Sequence, residues 1–135
     1  TQAKMDREVA RLYKEWKAKY VKQNPNASDQ YYVWYNDDDW SQEGDSDDKI
    51  AITVSEAHGY GMIITALMAG KDKDAKTYFD GMYRYFRKHP SSNNKDLMAW
   101  RQGMKDGKII DISGANSATD GDMDIAYSLI LAHKQ

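Results

Sequence analysis

The chain has 135 residues, of which 41% are hydrophobic and 30% charged, which is enough for one domain with a core. It contains no apolar run of the ~18 residues that a membrane-spanning helix needs. A net charge of −2 with scattered Lys and Arg argues against nucleic acid as a partner, and the first residues lack the apolar segment of a signal peptide. The absence of cysteine excludes disulfides, thiol catalysis and the usual zinc motifs.

The first predicted element is an amphipathic helix from Met5 to Val21. Its apolar residues recur at steps of three and four, and the helix is expected to end near Asn24 and Pro25. The segment YYVWYN at 31–36 is rich in β-forming residues but is too short to be assigned as more than extended. Between 37 and 48, seven of the twelve residues are acidic and none is basic, which predicts a solvated loop.

Two further helices follow. The second is predicted to have Ser55 as its N-cap and to end at Gly70. Its apolar stripe is predicted to consist of Tyr60, Ile63, Ile64, Leu67 and Met68. The third follows Asp72 and is ended by Pro90. Its predicted inner face consists of Ala75, Tyr78, Phe79, Met82, Tyr85, Phe86 and His89.

The last third of the chain combines an irregular stretch with a fourth helix. Residues 91–119 contain turn-forming residues and two short candidate strands, around LMAW and KIID, which could form a hairpin. The fourth helix begins near Asp120 and is apolar around most of its circumference, so it needs protein on nearly every side. Three other helices cannot supply that cover. We therefore expect residues 1–135 to form a single partial domain of something larger.

Three alternating aspartates, Asp120, Asp122 and Asp124, open the fourth helix. They do not form an EF-hand loop, because the positions that need Gly and Glu are occupied by Ile125 and Leu131. The acidic segment 37–48 fails the same pattern, although a looser calcium site there stays open. Thr119 or Asp120 could cap the helix, with the other acids stabilised by its dipole. Alternate positions point in different directions, however, so at least one carboxylate should face the interior or a cleft.

A second cluster of functional candidates is SEAHGYGM, residues 55–62. Glu56 lies in the predicted first turn, and Gly59 and Gly61 flank Tyr60. Glycine in a helix costs roughly 0.5 to 1 kcal/mol relative to alanine. Two glycines here therefore indicate close approach by a ligand or another backbone.

The stretches SEAHGYGMIITALMAG, LMAW and SATDGDMDIAYSLILA together resemble glycoside hydrolase family 8, whose members cut internal β-1,4 bonds in cellulose, mixed-linkage β-glucan, chitosan or xylan. The family pattern in the last stretch is matched from Ala118 to Ala132. The resemblance implies an all-α (α/α)6 barrel. This chain would form its N-terminal third or so, with a short β excursion around residues 91–119.

The resemblance also implies roles for two carboxylates. Glu56 matches the general acid that protonates the leaving glycosidic oxygen, and Asp120 matches the carboxylate that holds the distorted sugar. Family members invert the anomeric configuration, which requires a separate base roughly 6.5 to 9.5 Å from the acid. That base is expected in the remainder of the same catalytic domain. The resemblance implies a secreted enzyme that needs no cofactor or metal.

The remaining site predictions concern sugar contacts and substrate. Many family members have Glu-Gly-Gln-Gly-Tyr-Gly where this chain has Glu-Ala-His-Gly-Tyr-Gly, so His58 is either a polar cleft residue or a packed one. Tyr60 and Trp100 are candidates for stacking on sugars, and Trp34, with Tyr35 and Trp40, could extend the cleft. A cellulose-type or mixed-linkage β-glucan is the expected substrate, and chitosan is the alternative. Two other hypotheses are a non-catalytic carbohydrate-binding or helical interaction module and a calcium-stabilised helical protein.

Overall fold

The computed structural model describes residues 1–35 and 50–135. Within these ranges it contains four α-helices: α1 (Gln2–Tyr20), α2 (Ser55–Leu67), α3 (Ala75–Lys88) and α4 (Thr119–Lys134). It also contains five strands: β1 (Val21–Asn24), β2 (Ala27–Val33), β3 (Ile50–Val54), β4 (Arg101–Lys105) and β5 (Lys108–Asp111). The predicted acidic loop at 37–48, including Trp40, lies outside the described residues. The domain is helix-rich, but the all-α prediction is too simple.

The first strands form a hairpin that the sequence pattern did not reveal. Helix α1 ends at Tyr20, earlier than expected, because Val21 is extended and begins β1, which pairs antiparallel with β2. The predicted extended segment at 31–36 overlaps the end of β2. In the turn, the backbone N–H of Asn26 donates to the side-chain Oδ1 of Asn24 at 2.8 Å, the short-range hydrogen bond that favours Asn at turns.

The second sheet has the order β3-β4-β5 and is antiparallel throughout. KIID is correctly predicted as a strand, and it pairs with β4 across a turn at Asp106 and Gly107, whose φ values are 50° and 73°. The prediction of a strand at LMAW is wrong, because in that stretch only Met98 forms an isolated bridge, with Pro90. Strand β3 was missed altogether. Asn26 joins the two hairpins through bonds of 3.0 Å to the Gly107 carbonyl and the Ile109 N–H.

The core lies where α2, α3, α4 and β2 meet. The inner face predicted for α3 is confirmed for six of its seven residues: Ala75, Phe79, Met82, Tyr85, Phe86 and His89 are buried, and Tyr78 is half-buried. Helix α4 contributes Ile125 to this core and α2 contributes Met62. Burying side chains of this size stabilises the fold by about 1.5 to 3 kcal/mol each.

Helix α2 does not bury its predicted stripe. Tyr60 is 51% exposed and Leu67 is 58% exposed, and apart from Met62 the buried residues are small or polar, including Gly59 and Gly61. The reason is close packing on both sides. A Cβ at Gly59 would lie 2.6 Å from Cβ of Asp124, and one at Gly61 would lie 2.3 Å from Cγ2 of Val33.

Ser55 is not a helix cap, contrary to the prediction. The N-cap position is Val54, with no side-chain capping bond, and Ser55 is buried against α4. There a Cβ on Gly121 would lie 2.3 Å from Oγ of Ser55. Because Ser55 faces Gly121 and Gly59 faces Asp124, α2 and α4 run in the same direction with their N-termini side by side.

Several large apolar side chains remain uncovered, as the sequence predicted for α4. On that helix Met123 is 67% exposed and Ile130 is 61% exposed. The N-terminal half of α1 is also uncovered, with Met5 at 57% and Val9 at 55%. Within 1–35 and 50–135, none of the helices combines the length and apolar character needed to cross a membrane.

We predict that Gly121→Ala lowers the free energy of unfolding by about 1 to 3 kcal/mol, because the added methyl group collides with backbone and side-chain atoms of Ser55. Alanine has the better helix propensity by about 1 kcal/mol, so a decrease can only come from the collision. Gly70→Ala is the matched control, since a Cβ there meets nothing within 4 Å. Urea denaturation of both variants in the full-length protein tests this, and equal midpoints for the two would contradict it.

Candidate active site

Glu56 and Asp120 occupy equivalent positions in two adjacent helices. Each is the second residue of its helix, α2 or α4, and each side chain is exposed. Since the two N-termini lie side by side, both carboxylates are at the same end of the helix pair. This end carries the positive poles of both helix dipoles, which offset part of the repulsion between the acids. The structure therefore brings the two predicted catalytic residues to one surface.

Tyr60 belongs to the same surface. Its hydroxyl donates to Oε1 of Glu56 at 3.3 Å, one helical turn away. The charge of Glu56, followed by the hydrogen bond to it and smaller effects of Asp124 and Asp120, raises the pKa of Tyr60. The phenol is consequently a neutral hydrogen-bond donor at ordinary pH. Sugar stacking by Tyr60 stays a prediction.

The three alternating aspartates have different environments, as their spacing predicted. Asp120 is exposed, and its Oδ1 accepts the adjacent N–H of Gly121 at 2.8 Å. Asp122 is half-buried and accepts the backbone N–H of Met98 at 2.9 Å. Burial raises the pKa of Asp122, while the Met98 bond opposes this. The predicted cap at Thr119 or Asp120 is wrong, because the N-cap is Ala118 and no side chain makes a capping bond.

Trp100 is held beside the start of α2 through its backbone. Its carbonyl accepts the N–H of Ser55 at 2.8 Å, and its own N–H donates to the carbonyl of Asn116 at 2.7 Å. The side chain is half-buried, with the guanidinium of Arg101 5.7 Å from the ring centroid. The backbone of Trp100 thus lies next to the helix start that presents Glu56, and the sugar-stacking role of its ring stays a prediction.

The segment that leads into α4 has an unusual backbone. Ser113 and Ala115 have φ values of 57° and 52°, and Gly114 between them has 71°. The left-handed region is unfavourable for residues with a side chain, costing of order 1 to 3 kcal/mol each. The side chain of Ser92 supports the segment by donating to the carbonyl of Gly114 at 3.0 Å. The sequence pattern indicated only turn-forming residues here, and it did not predict the left-handed backbone that precedes Asp120.

Trp34 lies on the β1–β2 hairpin and contacts α1. Its ring stacks on Tyr20 with centroids 6.2 Å apart, and Nζ of Lys22 lies 5.9 Å from its centroid. The half-buried Trp34 also lines a surface cavity of about 580 Å³ together with Lys22 and Gln23. Tyr35, which follows, is tied by its N–H to the Ile52 carbonyl at 3.0 Å. The contacts of Trp34 are therefore with α1 and the hairpin, and its place in a cleft stays a prediction.

His58 lies in the core, which corrects its prediction as a sugar contact and favours the packed alternative. Its side chain is fully buried, its ring stacks on Tyr85, and its Nε2 is 2.9 Å from the carbonyl of Met82. Burial lowers the pKa of His58 to about 4, partly opposed by the Met82 bond. The residue is neutral at physiological pH and has no route to a substrate.

A metal site does not emerge from the described side chains. Across 1–35 and 50–135, no group of three or more His, Cys, Asp or Glu residues is arranged to hold an ion. The loose calcium site considered for 37–48 lies outside the described residues.

Comparisons with known proteins find similarity along the whole chain. The model of the family described as glycosyl hydrolases family 8 matches residues 4–135. A beta-glucanase of Niallia circulans is 50% identical over 135 residues, which is 100% of this chain and 29% of that protein. An endoglucanase of Bacillus sp. (strain KSM-330) is 42% identical over 136 residues, or 100% of this chain and 28% of the relative.

A solved structure is also similar. The apo structure of a beta-1,3-1,4-glucanase from Paenibacillus sp. X4 has a TM-score of 0.83 and 50% sequence identity, covering 100% of this chain and 31% of that one. The chain thus spans less than a third of the length of these relatives.

The burial of His58 predicts a pH-dependent stability. Its pKa is near 6.5 when exposed and about 4 when folded, so unfolding takes up a proton between these values. Stability attributable to His58 is full above pH 6.5 and falls as the pH drops toward 4, by at most ~1.4 kcal/mol per pH unit. Urea denaturation of the full-length protein at several pH values measures this. His58→Gln should flatten the dependence, and an unchanged slope in this variant refutes the assignment.

Proposed function

Because this chain belongs to family 8 of the glycosyl hydrolases, we propose that the complete protein is an endo-acting, inverting hydrolase of β-1,4 bonds in a β-glucan. The proposal is supported by the names of its relatives: a beta-glucanase, an endoglucanase and a beta-1,3-1,4-glucanase. Its substrate is a cellulose-type or mixed-linkage glucan, with chitosan as the alternative. From the family we infer that the enzyme acts outside the cell.

The observation that supports this reaction best is the pairing of Glu56 with Asp120. Two exposed carboxylates at the aligned starts of parallel helices can reach one sugar from the same side. Glu56 delivers its proton to the glycosidic oxygen while the bond to the anomeric carbon breaks. Asp120 accepts hydrogen bonds from the hydroxyls of the distorted sugar. Trp100 and Tyr60 offer aromatic surfaces beside it.

The general base belongs to the remainder of the same catalytic domain. In an inverting reaction this base activates a water molecule on the opposite face of the sugar ring from the acid. The described acids near the N-termini of α2 and α4 lie on one side of the sugar, so a base on the opposite side has to come from another part of the domain. Residues 1–135 alone are therefore expected to be inactive.

The same remainder completes the (α/α)6 barrel. The exposed faces of α1 and α4 are apolar, with Val9 and Leu12 on one and Ile130 on the other. Val9 and Leu12 also line an apolar groove together with Ile64 and Leu67 of α2. Apolar surfaces of this kind gain about 25 cal/mol for each square ångström that further helices cover.

The acid assignment predicts that Glu56→Gln in the full-length enzyme lowers kcat by about 10²- to 10⁴-fold, because glutamine has no transferable proton. Reducing-end release from lichenan, carboxymethyl cellulose and chitosan measures this and ranks the substrates. Glu8→Gln, an exposed acid on α1, is the control and should keep full activity. Wild-type rates in Glu56→Gln would reject the assignment.

The inverting stereochemistry has its own test. Proton NMR of the first products should detect the α-anomer, since attack by water inverts a β-linkage. A first-formed β-anomer would contradict the inverting reaction while leaving the glucanase proposal in place.

The barrel proposal predicts that Ile130→Glu destabilises the full-length protein by several kcal/mol, because covering helices would bury an unpaired charge. Lys95→Glu, on an exposed turn residue, introduces the same charge and should have little effect. Thermal denaturation compares the two variants. A melting temperature for Ile130→Glu equal to that of the control would show that this face stays exposed.

A further inference from the structure

Glu56 has a specific hydrogen-bond partner on its own helix. Tyr60 follows it by four residues, so both side chains lie on the same face of α2. Within the described ranges, the hydroxyl of Tyr60 is the hydrogen-bond donor to Glu56, at 3.3 Å from Oε1. Helical side chains lean toward the N-terminus, which directs the phenol toward the preceding turn and the carboxyl.

The backbone around Tyr60 is fixed by its two glycine neighbours. Gly59 is buried against Asp124 and the backbone of α4, and Gly61 is buried against Val33 and Met82. With both neighbours packed, the helix cannot rotate about its axis, and Tyr60 has to face outward. The exposed fraction of Tyr60, 51%, is thus a consequence of the packing that places Glu56.

We propose that Tyr60 is a positioning residue for Glu56. Because Tyr60 donates a hydrogen bond to Oε1 of Glu56, Oε2 is left as the oxygen that carries and delivers the proton. The proposal deepens the proposed function and rests on Glu56 being the general acid. In the reaction, the proton passes from Oε2 of Glu56 to the glycosidic oxygen as the bond between that oxygen and the anomeric carbon breaks. Water forms the new bond to that carbon and loses its proton to the general base.

Phenol chemistry suits this role. The surrounding carboxylates, with Glu56 first, raise the pKa of Tyr60, so it remains a neutral donor at working pH. A lysine in its place would pair with Glu56 as an ion and favour the charged carboxylate, which cannot donate a proton. A neutral hydroxyl orients the carboxyl with a smaller bias toward the charged form.

This role differs measurably from that of a sugar-stacking platform. A platform binds the sugar ring and affects KM for every substrate that occupies its subsite. A residue that positions the acid affects kcat, and only where the leaving group needs a proton. A 2,4-dinitrophenyl glycoside releases a stable anion and needs no protonation, whereas a glucan does.

The test uses Tyr60→Phe in the full-length enzyme, with lichenan and a 2,4-dinitrophenyl β-glycoside of a glucan oligosaccharide as substrates. We expect kcat on lichenan to fall about 10-fold, the effect of one lost hydrogen bond, with KM within about 2-fold. The rate on the dinitrophenyl glycoside should change less than about 2-fold. Tyr83→Phe, an exposed tyrosine of α3, is the matched control and should leave both rates unchanged.

Other outcomes overturn the proposal. Equal losses on both substrates, or a raised KM with unchanged kcat, would make Tyr60 a platform or a structural residue. The double variant Glu56→Gln/Tyr60→Phe should be no slower on lichenan than Glu56→Gln alone, and an additional loss would mean that Tyr60 acts independently. Wild-type rates in Glu56→Gln alone reject Glu56 as the general acid, and a wild-type enzyme that releases no reducing ends from any glucan rejects the proposed function itself. Both failures are therefore distinguishable from failure of the Tyr60 proposal. Melting temperatures check that each variant is folded.

Discussion

The close contact between α2 and α4 is the constraint on which the rest of the structure depends. It is made by glycine: Gly121 lies against Ser55, and Gly59 lies against Asp124. Larger residues would separate the helices and move their N-termini apart. Since Glu56 and Asp120 each follow the first residue of a helix, their relative position is set by this contact. Glycine weakens a helix by about 1 kcal/mol, and here that cost is offset by packing.

Around this contact the polar residues divide into two groups. Glu56, Tyr60 and Asp120 are exposed and lie at one end of the helix pair. His58 and Asp122, which alternate with them in sequence, turn toward the protein and bind backbone groups of Met82 and Met98. The inward residues hold neighbouring segments in place. The outward ones remain available to a substrate, which is the arrangement expected of a rigidly supported active site.

Elements with a strong local pattern could be predicted from the sequence, and those made by distant pairing could not. Helix α3 was predicted with its buried face because its apolar residues repeat every three or four positions. Strand β3 was missed because it pairs with β4, which lies far along the chain. Strand β1 pairs locally, but Asn24 and Pro25 were interpreted as the end of a helix and not as a hairpin turn. Ser55 has the residue type of a cap, yet Gly121, far along the chain, determines its environment.

The sequence by itself determined the family, the candidate acids Glu56 and Asp120, and the buried face of α3, because each depends on residue type and local spacing. Tertiary structure alone decided which of the neighbouring polar residues face outward. His58 and Tyr60 are two positions apart, but one is fully buried and the other is 51% exposed. Helix geometry places them on different faces, and only the packing of α3 and α4 against α2 selects which face is covered.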